Sequence, residues 1–141
     1  MFYGNGQEYD LTFKCGTTVI TTTSQYKVCY ISSSGTVDLI NTTATARTAI
    51  GVIQSYQSAG SIACTVRLHG VSKVYCRDSV TAGLAVFGYE GTSVTGDGVG
   101  CIDMKAASIT AETHVLGFAL EDGQTGQAIS IYVSPGMFWN A

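Results

Sequence analysis

Charge is scarce in this sequence. Lysine, arginine, aspartate and glutamate make up 12% of its 141 residues, against roughly 25% in an average globular chain. The net charge is −3, so there is no basic excess. A nucleic-acid binder draws most of its affinity from phosphate neutralisation, so that function is not expected from this charge balance. Long apolar runs are missing too. No stretch approaches the roughly 18 residues of a membrane span. The opening "MFYGNGQEYDL" has neither a basic region nor an apolar one, so it does not read as a signal peptide. The expectation is synthesis and folding in a cytosol, with no membrane partner. C-x-x-C does not occur, and the five cysteines (Cys15, Cys29, Cys64, Cys76, Cys101) are odd in number. That pattern does not lead one to expect a disulfide framework or a structural zinc site. The cysteines read as small buried apolar residues in a reducing compartment. There is one proline, Pro135, and one tryptophan, Trp139.

Glycine, serine and threonine are abundant instead. The chain alternates short β-branched and aromatic runs with turn residues. "DLTFK" (10–14), "YKVCYI" (26–31), "TVDLI" (36–40), "AIGVIQ" (49–54), "IACTVRL" (62–68), "GVSKVYC" (70–76), "LAVFGY" (84–89), "HVLGFAL" (114–120) and "AISIYV" (128–133) each read as a strand. "SSSG" joins the second to the third as a hairpin. Only "DMKAASITAET" (103–113) suits a short helical piece or turn. The pattern predicts an all-β fold: a compact sandwich, barrel or β-tulip-like domain of short antiparallel strands. Its predicted layout is an arm over residues 1–10 and a single β-domain over 11–141 with an aromatic C-terminal end.

One glycine frame occurs twice. "IGVIQSYQSAGSIACTVRLHG" (50–70) places glycines at 51, 60 and 70, and "LGFALEDGQTGQAISIYVSPG" (116–136) repeats them 66 positions later, at 117, 126 and 136. Apolar residues match as well: Ile50 with Leu116, Val52 with Phe118, Val66 with Tyr132. The frame predicts an internal hairpin duplication. Gly60 and Gly126 suit the positive φ of a hairpin turn. Gly51 and Gly117, inside strands, mark a bulge, a bend or a close backbone approach.

Residues for chemistry are few. His69 and His114 sit at strand ends and read as edge residues. Cys64, His69 and Cys76 match no ligand or nucleophile spacing. Glu121 and Asp122 read as a solvated turn. "GDGVG" (96–100) lacks the lysine and helix of a phosphate loop. No motif asks for a cofactor, and an enzyme is the least expected class. Arg67, Lys73 and Arg77 read as charges scattered over alternate strand faces, with a basic rim for an acidic partner as the other reading. The termini carry the aromatics: Phe2, Tyr3 and Tyr9 at one end, Met137, Phe138 and Trp139 at the other. Such residues anchor protein contacts. For the arm, an interface and a fold back onto the core both stand. For the C-terminal end, the alternatives are a fold back and a subunit contact.

The succession "LTFKCG", "YKVCYISSSGTV", "IGVIQ" with Gly60 and Val66, "GVSKV", "TAGLAVF", "VLGFALE" and "ISIYV" resembles the capsid decoration (cement) proteins of tailed bacteriophages. The likeness spans roughly residues 11 to 134 and rests on the order of the motifs. It implies a β-rich virion protein on the outer capsid surface, made in the bacterial host cytoplasm. It also implies a homo-oligomer, a trimer by preference, that bridges subunits of the major capsid protein and stabilises the shell. In such proteins an N-terminal arm reaches the shell, which makes Phe2, Tyr3 and Tyr9 the capsid-binding candidates. Two other expectations are kept beside it. One is a phage tail, fibre or baseplate β-domain. The other is a carbohydrate-binding β-module using Tyr3, Tyr89 and Trp139.

Overall fold

The computed structural model describes residues 8–17, 19, 22–41, 45, 48–89, 99–104 and 113–139, with the backbone alone at 113 and 137–139. The protein is all-β, a curled antiparallel sheet forming a half-barrel. Nine strands are present among the described residues: β1 (Tyr9–Lys14), β2 (Val28–Ile31), β3 (Val37–Leu39), β4 (Ala49–Ile53), β5 (Ala63–Tyr75), β6 (Ala85–Gly88), β7 (Ile102–Asp103), β8 (Thr113–Ala119) and β9 (Ala128–Trp139). They lie in the order β3-β2-β4-β5-β9-β8-β6-β7, and β1 pairs with the first half of β5.

β5 organises the molecule. The sequence suggests two strands, 62–68 and 70–76, but the chain runs through both as one 13-residue strand. Gly70, at φ +110°, supplies the bend, a conformation closed to residues with a Cβ. Before the bend, Cys64 and Val66 enter one core cluster with Cys29, Val37 and Ile53. After it, Val74 and Cys76 enter another with Val28, Val52, Leu116, Ile129 and Ile131. Adjacent residues of β2 (Val28, Cys29) and of β4 (Val52, Ile53) point into opposite clusters. These two strands are therefore buried on both faces, which is why "VCY" and "GVI" lack a polar phase. Each fully buried aliphatic side chain contributes about 1.5–3 kcal/mol.

The duplicated frame is present in three dimensions. β4 with β5 and β8 with β9 are both antiparallel hairpins. Gly60 (φ +90°) and Gly126 (φ +81°) take the predicted turn conformation, and Gly70 and Gly136 (φ +93°) bend the two returning strands. At Gly51 and Gly117 an added Cβ would overlap a carbonyl oxygen of the partner strand, that of Arg67 and of Tyr132 respectively. Each of the two also adjoins a bulge, at Cys29/Tyr30 and at Val115/Gly117. The registers differ by one residue, however: Val52 faces Arg67, whereas Phe118 faces Tyr132.

Several boundaries differ from the sequence reading. β1 takes in Tyr9, inside the expected arm. β2 starts at Val28 and not at Tyr26, because Tyr26 has φ +65°. Asp103 belongs to the two-residue β7 and Thr113 to β8, at the two ends of the expected helical piece. Residues 105–112 of that piece lie outside the described residues. β9 continues through Pro135 to Trp139.

Candidate interaction face

The second hairpin has one face in the core and one outside. Ile129, Ile131 and Val133 of β9 are buried, as are Leu116 and Ala119 of β8. The residues between them point outward, where an antiparallel sheet usually carries polar side chains. Here the rung Val71↔Tyr132↔Phe118 crosses three strands on that outer side. Val71 is 43% exposed and Phe118 36%. The Phe118 and Tyr132 rings stack at 5.4 Å and 22°. His69 meets Tyr132 edge-on at 5.2 Å, and the Tyr132 hydroxyl lies 3.3 Å from His69 Nε2. Stacked and edge-on rings of this kind contribute about 0.5–1.5 kcal/mol beyond area burial, so the row is a fixed ridge. Exposed Tyr9 extends it through the rung Tyr9↔His69, and exposed Leu120 lies beside Ser130 at the other end.

Ion pairs frame this ridge. Arg67 donates to both carboxylate oxygens of Asp10, at 2.9 and 3.0 Å, and pairs with Glu8 at 2.9 Å. It also donates to the Val71 carbonyl at 2.6 Å. One guanidinium thus ties β1 to β5 across the Gly70 bend, and the bond to Asp10 raises its own pKa. At the opposite side Lys73 pairs with Glu121 at 3.4 Å, and Glu121 also accepts the Ser130 N–H at 2.9 Å. The Ser130 bond, then Lys73, holds the Glu121 carboxyl below its usual range.

The residues singled out in the sequence fall as follows. Phe2 and Tyr3 lie outside the described residues. Tyr9 is in β1, 56% exposed, at the edge of the ridge. Met137, Phe138 and Trp139 belong to β9 through their backbone, opposite Val115, His114 and Thr113. Their side chains are outside the described residues. Tyr89 is half-buried and carries the Arg77 guanidinium at 5.5 Å. Arg67, Lys73 and Arg77 go to three different partners and form no common rim. His114 Nε2–H donates to the Ala49 carbonyl at 2.9 Å, a structural bond between β8 and β4. Cys64 and Cys76 enter different core clusters and His69 is on the outer face, so the three do not meet. All five cysteines are free thiols. Burial, with smaller effects from neighbouring Cys15 and Asp38, pushes Cys64 up to about 12. Burial and then Cys101 and Glu121 push Cys76 up to about 11. Both are neutral, unreactive thiols at ordinary pH. Among the described residues no group of three or more His, Cys, Asp or Glu is placed to hold a metal ion.

The ridge itself was not singled out beforehand. Its signal is an apolar residue in both phases of a strand: Leu116, Phe118 and Leu120 alternate with Val115 and Ala119, and Tyr132 stands between Ile131 and Val133. That pattern leaves apolar side chains on the outer face of the sheet as well as in the core.

No family model, no curated protein and no solved structure matches the chain.

Proposed function

We propose that this chain is a structural virion protein that binds the outer surface of an assembled phage capsid and stabilises it by bridging major capsid subunits. The observation that carries the reading is the outward row Val71–Tyr132–Phe118, with Tyr9 at its edge. Rigid aromatic side chains set within a polar frame are what a protein contact uses as anchors. The arm before Tyr9, with Phe2 and Tyr3, adds a second contact, and the molecule acts as a homotrimer. Low charge and the order of the sequence motifs support the same reading. The protein works by binding, with no cofactor. A protein that binds the intact shell and not the disrupted one stabilises the shell by mass action, and many symmetric copies multiply a modest energy per site.

The test is co-sedimentation of purified protein with undecorated expanded heads, with unexpanded heads and isolated tail tubes alongside. Saturable binding to expanded heads is the expected result, and its copy number reports the symmetry sites occupied. Binding to tail tubes alone would replace this reading with a tail, fibre or baseplate role.

A further inference from the structure

The two ends of the ridge differ in the charge they show. Along the outer side of the sheet the rungs follow in the order Tyr9↔His69, Val71↔Tyr132↔Phe118 and Lys73↔Ser130, the last with Leu120 beside Ser130. At the Leu120 end both signs face solvent. Lys73 and Glu121 pair at 3.4 Å and are about equally exposed, at 49% and 48%. Asp122 follows, with one carboxylate oxygen accepting the Ala82 N–H at 2.8 Å.

At the Tyr9 end one sign dominates. Two carboxylates, Asp10 and Glu8, share the single guanidinium of Arg67, each at 2.9 Å. Two negative charges against one positive leave −1 at that end. Among the described residues no other cation pairs with either carboxylate. The guanidinium is also the recessed partner. Its side chain is 14% exposed, against 50% for Glu8 and 30% for Asp10. Its three nitrogens are already engaged, by Asp10, Glu8 and the Val71 carbonyl. Arg67 therefore holds the two carboxylates in place without cancelling both. Tyr9 stands between them in the chain with its ring 56% exposed. An exposed ring beside carboxylates suits a cation, and a long basic side chain has an apolar stem to lay along it.

We propose that the ridge receives a segment of the major capsid protein whose apolar side chains lie on the Val71–Tyr132–Phe118 row and whose lysine or arginine is taken at the Tyr9 end by Glu8 and Asp10. The inference rests on the capsid reading and adds the chemistry and orientation of the partner. The apolar row supplies the anchor. The charge at one end fixes which way round the segment lies, because rim charges set register and approach more than affinity.

The experiment is co-sedimentation with undecorated expanded heads at low and at high salt, using the wild type, Glu8→Gln, Glu8→Lys and Asp78→Asn. Glu8→Gln keeps both bonds from Arg67 to Asp10 and makes that end neutral. Binding at low salt is expected to weaken about threefold in Glu8→Gln and about tenfold in Glu8→Lys. High salt weakens the wild type and narrows its lead over Glu8→Gln. Asp78, in the exposed bend after β5, carries the same charge away from the Tyr9 end, and Asp78→Asn is expected to bind like the wild type. If the wild type binds but neither Glu8 variant loses affinity, or if Asp78→Asn loses as much as Glu8→Gln, the inference is overturned and the capsid reading stands. Absence of wild-type binding at either salt overturns both.

Discussion

The first hairpin, β4 with the opening half of β5, and the second, β8 with β9, share one glycine frame and differ in what covers them. Val52, Ile53 and Val66 of the first are fully buried on both faces. The positions equivalent to Val52 and Val66 in the second are Phe118 and Tyr132, which stack on an open face. Two causes account for the difference. The pairing registers differ by one residue, and a one-residue change sends a strand's side chains to the opposite face. The bend at Gly70 also carries β5 from one core cluster to the other. One frame thus supplies an interior hairpin that stabilises the fold and an exterior one that offers a surface. Repeated glycines fix where a chain turns and where strands approach closely; the side chains between them decide which face is dry.

The sharpest way to break this comparison is at the strand glycines. Gly51→Ala and Gly117→Ala each push a Cβ into a partner carbonyl. Each is expected to cost about 1–3 kcal/mol or more, measured by urea unfolding. Gly51 is expected to be the worse, because β4 is covered on both faces and has nowhere to shift. A similar loss in both would support equivalent roles for the glycines; no loss in either would remove close approach as their reason. Next come the side chains at equivalent positions. Val66→Ala is expected to destabilise by about 1–3 kcal/mol. Phe118→Ser is expected to cost a similar amount, about 1–3 kcal/mol, since the ring is partly buried and stacked on Tyr132, while head binding falls at least about tenfold.

The pH predictions are smaller. Cys64 and Cys76 have folded pKa values of about 12 and about 11, above the unfolded value of 9.0. Their contribution to stability is complete below pH 9 and declines as pH rises through 9 toward 11. Thermal unfolding across that range is expected to show the decline, and replacement of both cysteines by alanine to flatten it. Glu121 has the opposite sign, its folded pKa lying below the usual carboxylate value of 4.5. Its contribution is present above that value and is lost as pH falls through the folded pKa. Glu121→Gln is expected to remove a slight acid dependence and nothing else, because the group is solvent-exposed.

Much of the fold was legible in the sequence. Alternation and turn residues located β1, β2, β3, β4, β6 and β8, and the repeated glycines located the two hairpins. The continuity of β5 was not legible, since "HG" at 69–70 reads as a strand end unless the bend is known. β7 was missed because two residues carry no period. The later start of β2 reflects Tyr26, whose positive φ no propensity would suggest. The candidate surface was less legible than the fold. In the sequence the aromatic termini stand out by residue type. The ridge is built from Val71, Phe118 and Tyr132, which are ordinary strand residues in type. They become conspicuous only when the pairing puts them on one rung.

The most direct measurement is co-sedimentation of wild type and Phe118→Ser side by side with undecorated expanded heads. The account predicts saturable binding of the wild type and a loss of at least about tenfold in the variant, which remains folded under the conditions of the assay. Equal binding by a folded Phe118→Ser variant, or no binding by the wild type, would contradict it.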